Sequence, residues 1–294
     1  MQAFDGISSR ISSSLGHENW SAAAATSDRK NVKIAGTFAA LMTIIFGLSL
    51  FGSSREGQVP MGPSAAASVV ITAGTIFNKT PYYHCDPIGH DPKLASHAES
   101  ARHHRHVVLL HGAKFTREDW STSGIMHQLC QVEGLSVTAL DLPINSGHVA
   151  LQTLLHSMRS NKIVKPPIIL VTPSKSSKTM VDWFLNGNVH DIPKFVDTWV
   201  PIGPNIINDL DSKDDAKISL LKDEEDLKIL AMYGSRDLQG KYSTNRLEEL
   251  AGAQVVEIPG GHPCYLDSPN EFVKEFLTFV GMWDPKKKLA FLGN

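Results

Sequence analysis

Residues 167–176 read PIILVTPSKS, an apolar run that stops abruptly at a small-X-Ser-X-small pentapeptide centred on Ser174. An apolar strand that runs into such a pentapeptide and then into a helical segment is typical of a nucleophile elbow, where a serine is exposed on a sharp turn. The usual pentapeptide has glycine at both outer positions, whereas this chain has Thr172 and Ser176 there. Taken alone, the pattern also fits a polar loop between a strand and a helix.

On both sides of this stretch, strand-like and helix-like segments alternate along the chain. The predicted strands are 68–72, 82–85, 107–110, 136–141, 167–170, 197–202, 227–233 and 254–258, and the predicted helices are 120–132, 149–158, 180–185, 244–251 and one that begins at Pro269 after Ser268 as cap. Such alternation predicts an α/β fold with a mostly parallel sheet covered by helices on both faces. In such a sheet the chemically active side chains lie at the carboxyl ends of the strands.

Three candidate catalytic residues fall at predicted strand ends: Ser174, Asp237 and His262. Their order along the chain, serine, acid and then histidine, is the order of the α/β-hydrolases. Because a serine hydroxyl is a poor nucleophile until a base takes its proton, His262 is predicted as the base and Asp237 as the acid that fixes its tautomer. Gly260 and Gly261 would let the loop turn sharply before His262.

Backbone amides beside Ser174 are predicted to stabilise the oxyanion that forms during acyl transfer. One amide belongs to Lys175, the residue after the nucleophile, and the other to Ala113 or Lys114, which follow the pair His111-Gly112 at a strand end. Each such donor contributes about 3–4 kcal/mol in other enzymes.

Two further residues compete with these assignments. Asp141 ends an earlier predicted strand and is the chief rival acid, although it is expected to shape a loop. Cys264 lies two residues after His262, but no elbow surrounds it, so it is interpreted as a packed thiol.

The chain resembles the family of α/β-hydrolase domain-containing protein 14 over roughly residues 106–282. The resemblance is carried by the run His262-Pro263-Cys264-Tyr265-Leu266-Asp267, the Thr-Pro-Ser-Lys-Ser elbow, His111-Gly112 with Phe115, and Asp141-Leu142-Pro143. It implies an α/β-hydrolase fold with Ser174 as nucleophile, Asp237 as acid and His262 as base. Elbows of the family resemble Ser-Pro-Ser-Leu-Ser-Gly, so Lys175 and Lys178 add charge here.

The family also implies an activity and a cellular placement. Its soluble B form is a serine hydrolase of small acetyl esters, also described as removing acetyl groups from protein lysines by transfer to coenzyme A. Its A form is a single-pass membrane protein with a cytoplasmic N-terminus, and this chain is similar to that form. Coenzyme A is therefore an acyl acceptor implied by the resemblance, and no bound cofactor is predicted.

The N-terminal part of the sequence predicts a membrane anchor. Residues 34–52 run for nineteen residues without a charge, a length of roughly 28 Å as a helix, which matches a bilayer core. Arg29, Lys30 and Lys33 precede this run, so the N-terminus is predicted to be cytoplasmic and the following domain lumenal or extracellular. Buried core helices and cleaved signal peptides are the alternatives for this run, and a cytoplasmic chain is the alternative for localisation.

The predicted organisation has five parts. They are a disordered cytoplasmic segment 1–33, a transmembrane helix 34–52, a linker 53–66, an α/β-hydrolase domain 67–283 and a C-terminal tail 284–294. Asn78-Lys79-Thr80 would then be a glycosylation site on the lumenal side.

Composition excludes some partners and leaves others open. A net charge of −2 argues against nucleic acid as a main partner. The three cysteines, Cys85, Cys130 and Cys264, form no CxxC pair and leave room for at most one disulfide. Histidines are frequent between His84 and His111, but their spacing fits no metal motif, so a solvated loop is favoured over a metal site.

The sequence therefore predicts a membrane-anchored serine hydrolase that acts on small acyl, acetyl-like esters or acyl-amides through an acyl-enzyme. A non-catalytic interaction domain that keeps the hydrolase fold is the main alternative, because the elbow is altered and residues 211–226 are strongly charged. A metal-binding domain built on the histidine-rich region is a weaker third. The sequence names no protein partner.

Overall fold

The structure is a computed structural model that describes residues 69–77, 79–86, 104–143 and 145–285. The predicted segments 1–33, 34–52 and 53–66 lie outside these ranges, as do Asn78 and residues 286–294 of the predicted tail. In the described part of the chain, no helix combines the length and the apolar character needed to cross a membrane.

The described residues form one twisted sheet with helices on both faces. Its strands are β1 (Thr72–Ile76), β2 (Thr80–Cys85), β3 (Arg105–Leu109), β4 (Leu135–Leu140), β5 (Ile168–Pro173), β6 (Val196–Ile202), β7 (Lys228–Gly234) and β8 (Gln254–Ile258). Their spatial order is β1-β2-β4-β3-β5-β6-β7-β8. The pairs from β4 through β3 to β8 are parallel, whereas β1 and β2 form an antiparallel hairpin at one edge. The predicted mostly parallel α/β sheet is confirmed.

The helices cover the two faces of the sheet. They are α1 (Arg117–Thr122), α2 (Ile125–Cys130), α3 (His148–Ser160), α4 (Lys178–Asn186), α5 (Ser212–Ser219), α6 (Leu238–Ala251), α7 (Cys264–Asp267) and α8 (Pro269–Phe279). One apolar cluster joins α3, α4, α5 and α6 to the sheet, and the other joins α1, α2 and α8 to the opposite face. The central strands β4 and β5 are buried along their whole length, which explains why their sequences are continuous apolar runs.

Three predicted boundaries were wrong for local reasons. The first strand is Thr72–Ile76 and not 68–72, because it pairs with β2 in a register that sets Gly74 opposite Tyr82. A Cβ at position 74 would lie 2.5 Å from the Tyr82 ring, so this register of the two strands requires glycine there. The helix predicted over 120–132 is two helices separated by Gly124, whose φ of 78° is left-handed.

The helix predicted over 244–251 begins earlier, at Leu238, because Asp237 caps it. The Asp237 side chain accepts a hydrogen bond from the Gly240 amide at 3.0 Å. The charged segment 211–226 also contains structure: Asp211 and Asp214 form a capping box at the start of α5, and Ile218 is fully buried in the core.

The last helix begins at Pro269 after Ser268, as predicted. The Ser268 side chain forms no capping hydrogen bond, so the predicted cap acts by position only.

Candidate active site

Ser174 lies at the turn between β5 and α4, with backbone geometry typical of a nucleophile elbow. Its φ is 50°, a left-handed value for a residue that carries a side chain. Such a conformation costs about 1–3 kcal/mol and persists only where the surrounding structure imposes it. Residues 174–177 continue as one 3₁₀ turn before α4 begins at Lys178.

Hydroxyl groups hold this turn where other elbows have glycine. Ser176 Oγ donates to the Pro173 carbonyl at 2.8 Å, and Ser177 Oγ donates to the Thr172 carbonyl at 2.7 Å. The Thr172 hydroxyl is fully buried and accepts from the Trp199 indole Nε1 at 2.8 Å. Each buried polar group therefore has a partner, and the two missing glycines do not disrupt the turn.

His262 joins Ser174 to Asp237. Its Nε2 lies 2.7 Å from Ser174 Oγ, and its Nδ1 lies 2.5 Å from Asp237 Oδ2. When Nδ1–H donates to the carboxylate, the Nε2 lone pair is left to accept the serine proton. Asp237 is buried while the His262 side chain is 37% exposed, so a reagent can reach the histidine but not the acid. The structure therefore brings together the three residues named from the sequence.

Two glycines that the sequence did not single out pack against this acid–base pair. Gly203, directly after β6, has a φ of 54°, and a Cβ there would lie 2.9 Å from His262 Cε1 and 3.0 Å from Asp237 Oδ2. A Cβ on Gly240 would lie 2.3 Å from Asp237 Oδ2. Both positions need glycine because the acid and base occupy the space of a side chain. The only sequence signal was Gly203-Pro204 after an apolar strand.

The loops that carry the acid and the base are bonded to each other. The Arg236 amide donates to the Gly260 carbonyl at 2.9 Å, and the Gly260 amide donates to Ser235 Oγ at 3.2 Å. The Gly261 amide donates to Asp267 Oδ2 at 2.6 Å, which fixes the turn just before the histidine. These bonds set the position of His262 relative to Asp237.

The predicted oxyanion loop lies beside the elbow. β3 pairs with β5, and the Leu110 amide continues this ladder to the Val171 carbonyl at 3.0 Å. A Cβ on Gly112 would lie 3.8 Å from the Pro173 carbonyl oxygen, so the loop passes next to the turn that bears the serine.

The amides predicted as oxyanion donors are available. Within the described ranges, the amides of Ala113 and Lys114 donate to no other backbone carbonyl. The Lys175 amide is at the start of its helical turn, where amides lack an intrahelical acceptor. Their role as an oxyanion hole stays a prediction.

Asp141, the rival acid, is engaged elsewhere. Its carboxylate accepts from the Arg117 amide at 2.6 Å and forms an ion pair with the Arg117 guanidinium. His111 Nε2 lies 3.8 Å from the same carboxylate, and His111 Nδ1 lies 2.9 Å from the Gly112 carbonyl. Asp141 therefore holds the loop next to α1, as expected, and not the imidazole of His262.

The three cysteines form one disulfide and one buried free thiol. Cys85 on β2 and Cys130 at the end of α2 form a disulfide across a separation of 45 residues, which fills the single disulfide that the sequence left open. Cys264 is a buried free thiol, and burial raises its pKa to about 12. At that pKa the thiolate form is scarce, which agrees with its interpretation as a packed thiol.

The histidine-rich region makes hydrogen bonds where it is described. His84 Nδ1 lies 2.9 Å from Thr138 Oγ1, and His104 Nε2 lies 2.6 Å from Ser136 Oγ. His106 is close by, and its pKa is lowered to about 4, first by burial and then by the charges of His104 and His84. Among the described residues, no three His, Cys, Asp or Glu side chains are grouped to hold a metal ion.

No family model matches the sequence. The chain is 29% identical over 186 residues to ABHD14B of Homo sapiens, which is named as a candidate protein-lysine deacylase, and the match covers 59% of this chain and 82% of that protein. It is 28% identical over 192 residues to ABHD14A of Homo sapiens, covering 60% of this chain and 65% of that protein.

A solved structure has the same fold. The S-formylglutathione hydrolase FrmB of Staphylococcus aureus superimposes with a TM-score of 0.52 at 13% identity, over 72% of this chain and 98% of that one. The predicted α/β-hydrolase fold and the resemblance to the ABHD14 family are confirmed. The predicted type of enzyme, a serine hydrolase, agrees with these relatives.

Proposed function

Because the chain resembles the ABHD14 family and has an α/β-hydrolase fold, we propose that it cleaves small acyl esters or acyl-amides through an acyl-enzyme on Ser174. The observation that carries this proposal is the continuous contact from Ser174 Oγ to His262 Nε2 at 2.7 Å and from His262 Nδ1 to Asp237 Oδ2 at 2.5 Å. The strained φ of Ser174 supports it, since the turn presents the hydroxyl to His262.

In the first half of the reaction, Ser174 Oγ attacks the acyl carbonyl carbon while His262 Nε2 takes the hydroxyl proton. The oxyanion that forms would accept hydrogen bonds from the amides of Lys175 and of Ala113 or Lys114. Asp237 stabilises the imidazolium and keeps Nδ1 as a donor. His262 then gives its proton to the leaving alcohol or amine, and the acyl group stays on Ser174.

In the second half, water attacks the acyl-enzyme and gives its proton to His262, which returns that proton to Ser174 as the carboxylic acid leaves. The choice of acetyl-like substrates rests on the family resemblance. Lysine deacylation rests on the name of the relative ABHD14B, and neither follows from the geometry. Transfer to coenzyme A in place of water rests on the resemblance alone.

A fluorophosphonate probe and a panel of small esters test this function. The wild-type protein should carry the probe on Ser174, identified by mass spectrometry, and should hydrolyse at least one short-chain ester. Ser174→Ala should lose both signals. Ser219→Ala, on α5, removes a hydroxyl whose one bond within the described residues is to the Asp215 carbonyl, and this variant should retain both signals. A folded wild-type protein that neither labels nor turns over any ester would exclude the proposal and favour an interaction domain.

We also propose that residues 34–52 anchor the chain in a membrane, with the hydrolase domain on the lumenal or extracellular side. The uncharged run after Arg29, Lys30 and Lys33 supports this orientation. The Cys85–Cys130 disulfide supports it independently, because disulfides persist in oxidising compartments and are rare in the cytosol.

Glycosidase treatment and protease protection test this placement. If the domain enters the secretory pathway, Asn78 can be glycosylated, and Asn78→Gln should abolish a glycosidase-sensitive mass shift. Asn19→Gln should change nothing, because the sequon Asn19-Trp20-Ser21 precedes the predicted span. In sealed microsomes the hydrolase domain should resist protease until detergent is added. A domain degraded without detergent would place it in the cytoplasm.

A further inference from the structure

We propose that the site prefers esters that carry a carboxylate close to the scissile carbonyl, because Lys175 and Lys114, in the two loops beside it, each carry a free ammonium group. This inference rests on the proposed function of Ser174 and names the class of substrate that the same site takes. The carboxylate could belong to the acyl chain or to the leaving alcohol, and both sources use the same attraction.

Lys175 is fixed at the reaction centre by its own backbone. It follows Ser174 directly, and the left-handed φ of Ser174 and the hydroxyl bonds of the turn determine where its main chain lies. Its side chain is exposed and forms no ion pair within the described part of the chain. A lysine Nζ reaches about 6 Å from its Cα over five bonds of standard length, so it can approach a group bonded to the scissile carbonyl.

Lys114 lies in the loop that passes next to the elbow. It lies in the loop after β3, which passes next to Pro173, and the Phe115 amide closes this loop onto the Gly112 carbonyl at 3.1 Å. Lys114 is exposed and, among the described residues, also lacks an ion-pair partner. Two loops that are predicted to supply the oxyanion amides therefore each carry a positive side chain.

Two of the acids near the site are already paired with arginines. Asp141 is paired with Arg117, and Asp267 accepts the Gly261 amide and lies 3.6 Å from the Arg236 guanidinium. The Asp237 carboxylate is bonded to the His262 imidazole and is buried, whereas the two lysines are exposed. None of these three carboxylates forms an ion pair with Lys175 or Lys114, so an anionic group on the substrate is a natural counter-ion for the lysines.

Coulomb attraction sets the size of the effect. Two unit charges about 7 Å apart attract by an amount that corresponds to about a 3-fold preference in a water-like medium and about 50-fold at an effective dielectric constant of about 20. Lys175 alone should therefore favour the anionic over the neutral substrate by a factor within this range. Because the lysines are exposed, salt should weaken the preference.

The test compares pairs of substrates within each protein variant. One pair has the same leaving alcohol with a succinyl or a butyryl chain, and a second has the same acetyl chain with a leaving phenol that carries or lacks a carboxylate. For each pair, the ratio of kcat/KM for the anionic to the neutral ester is measured in wild type, Lys175→Gln, Lys175→Glu and Lys114→Gln. The ratio within a variant is the readout because it cancels general losses of activity.

The ratio should fall about 3- to 50-fold in Lys175→Gln and further in Lys175→Glu for at least one of the two pairs, and that pair identifies the source of the carboxylate. Lys228→Gln is the matched control: it removes an exposed positive charge at the start of β7, the end of the sheet opposite the site, and should leave both ratios unchanged.

An unchanged ratio in Lys175→Glu for both pairs, with neutral esters still hydrolysed, would overturn this inference and leave the proposed function intact. A folded wild-type protein that shows neither ester turnover nor fluorophosphonate labelling would instead overturn both this inference and the proposed function.

Discussion

Replacement of Gly203 by alanine is the sharpest structural test of the acid–base pair. The added methyl group would lie 2.9 Å from His262 Cε1, 3.1 Å from His262 Nδ1 and 3.0 Å from Asp237 Oδ2. Ordinary contacts between such atoms begin at 3.4 Å, so the imidazole must recede by about 0.5 Å or the strand end must shift. The ring cannot recede freely, because its Nδ1 is bonded to Asp237.

Two separate costs follow from this substitution. The φ of 54° costs alanine about 1–2 kcal/mol of stability wherever it occurs. The contact with His262 adds a catalytic cost, because a displacement of about 1 Å of a reacting group lowers the rate about 100-fold. We expect kcat/KM to fall about 10- to 100-fold while the protein stays folded.

Gly252→Ala separates the two costs. Gly252 ends α6 with a φ of 68°, and a Cβ there meets only Lys222 Cγ at 4.0 Å. Both variants should lose similar amounts of stability in urea unfolding, but only Gly203→Ala should show the fall in kcat/KM for ester hydrolysis and a slower rate of fluorophosphonate labelling. If Gly203→Ala hydrolyses esters as fast as Gly252→Ala, the proposed arrangement of the acid and base is wrong.

Three further outcomes are expected. Cys130→Ser should lower the free energy of unfolding by about 4 kcal/mol, because the disulfide between Cys130 and Cys85 closes a 45-residue loop and so restricts the entropy of the unfolded chain. An equal loss in the reduced wild-type protein would confirm this, and unchanged urea midpoints would contradict it. The free energy of unfolding should fall as the pH drops from 6.5 towards 4, because the folded protein keeps His106 neutral while the unfolded chain binds a proton. The loss should reach at most about 1.4 kcal/mol per pH unit and should be smaller in His106→Gln. An identical pH profile in that variant would assign the effect to other groups. Asp237→Asn should lower kcat about 10⁴-fold, because the imidazole of His262 is then held in the wrong tautomer. Asp141→Asn should lower kcat far less and should act mainly on stability. A larger fall in kcat for Asp141→Asn than for Asp237→Asn would make Asp141 the catalytic acid.

The fold and the candidate triad were predictable because both depend on short local patterns, namely apolar runs and the residues that follow them. The strand that ends at Ser174 is a continuous apolar run, as a strand buried on both faces must be, and the other strand ends could be aligned with it. Ser174, Asp237 and His262 then followed from their order and from their places at strand ends.

The site residues that were not predicted from the sequence act through contacts between distant segments of the chain. Gly203 and Gly240 are ordinary in their local context, and only the packing of His262 and Asp237 shows why they lack side chains. The first strand of the edge hairpin was also misplaced, since its position depends on its register with β2 and not on the β-branched run before it. Cross-strand pairing of this kind leaves little trace in a single sequence.

The mutual bonding of the acid and base loops has a consequence for protein engineering. A Cβ on Gly234 would lie 1.9 Å from the Gly261 carbonyl oxygen, so the two loops touch without an intervening side chain. Neither loop could be exchanged with that of another hydrolase on its own, because each supplies the bonding partners of the other. The elbow is attached separately through β5. A chimera should therefore tolerate a transplanted elbow, or a transplanted pair of loops, more readily than either loop alone.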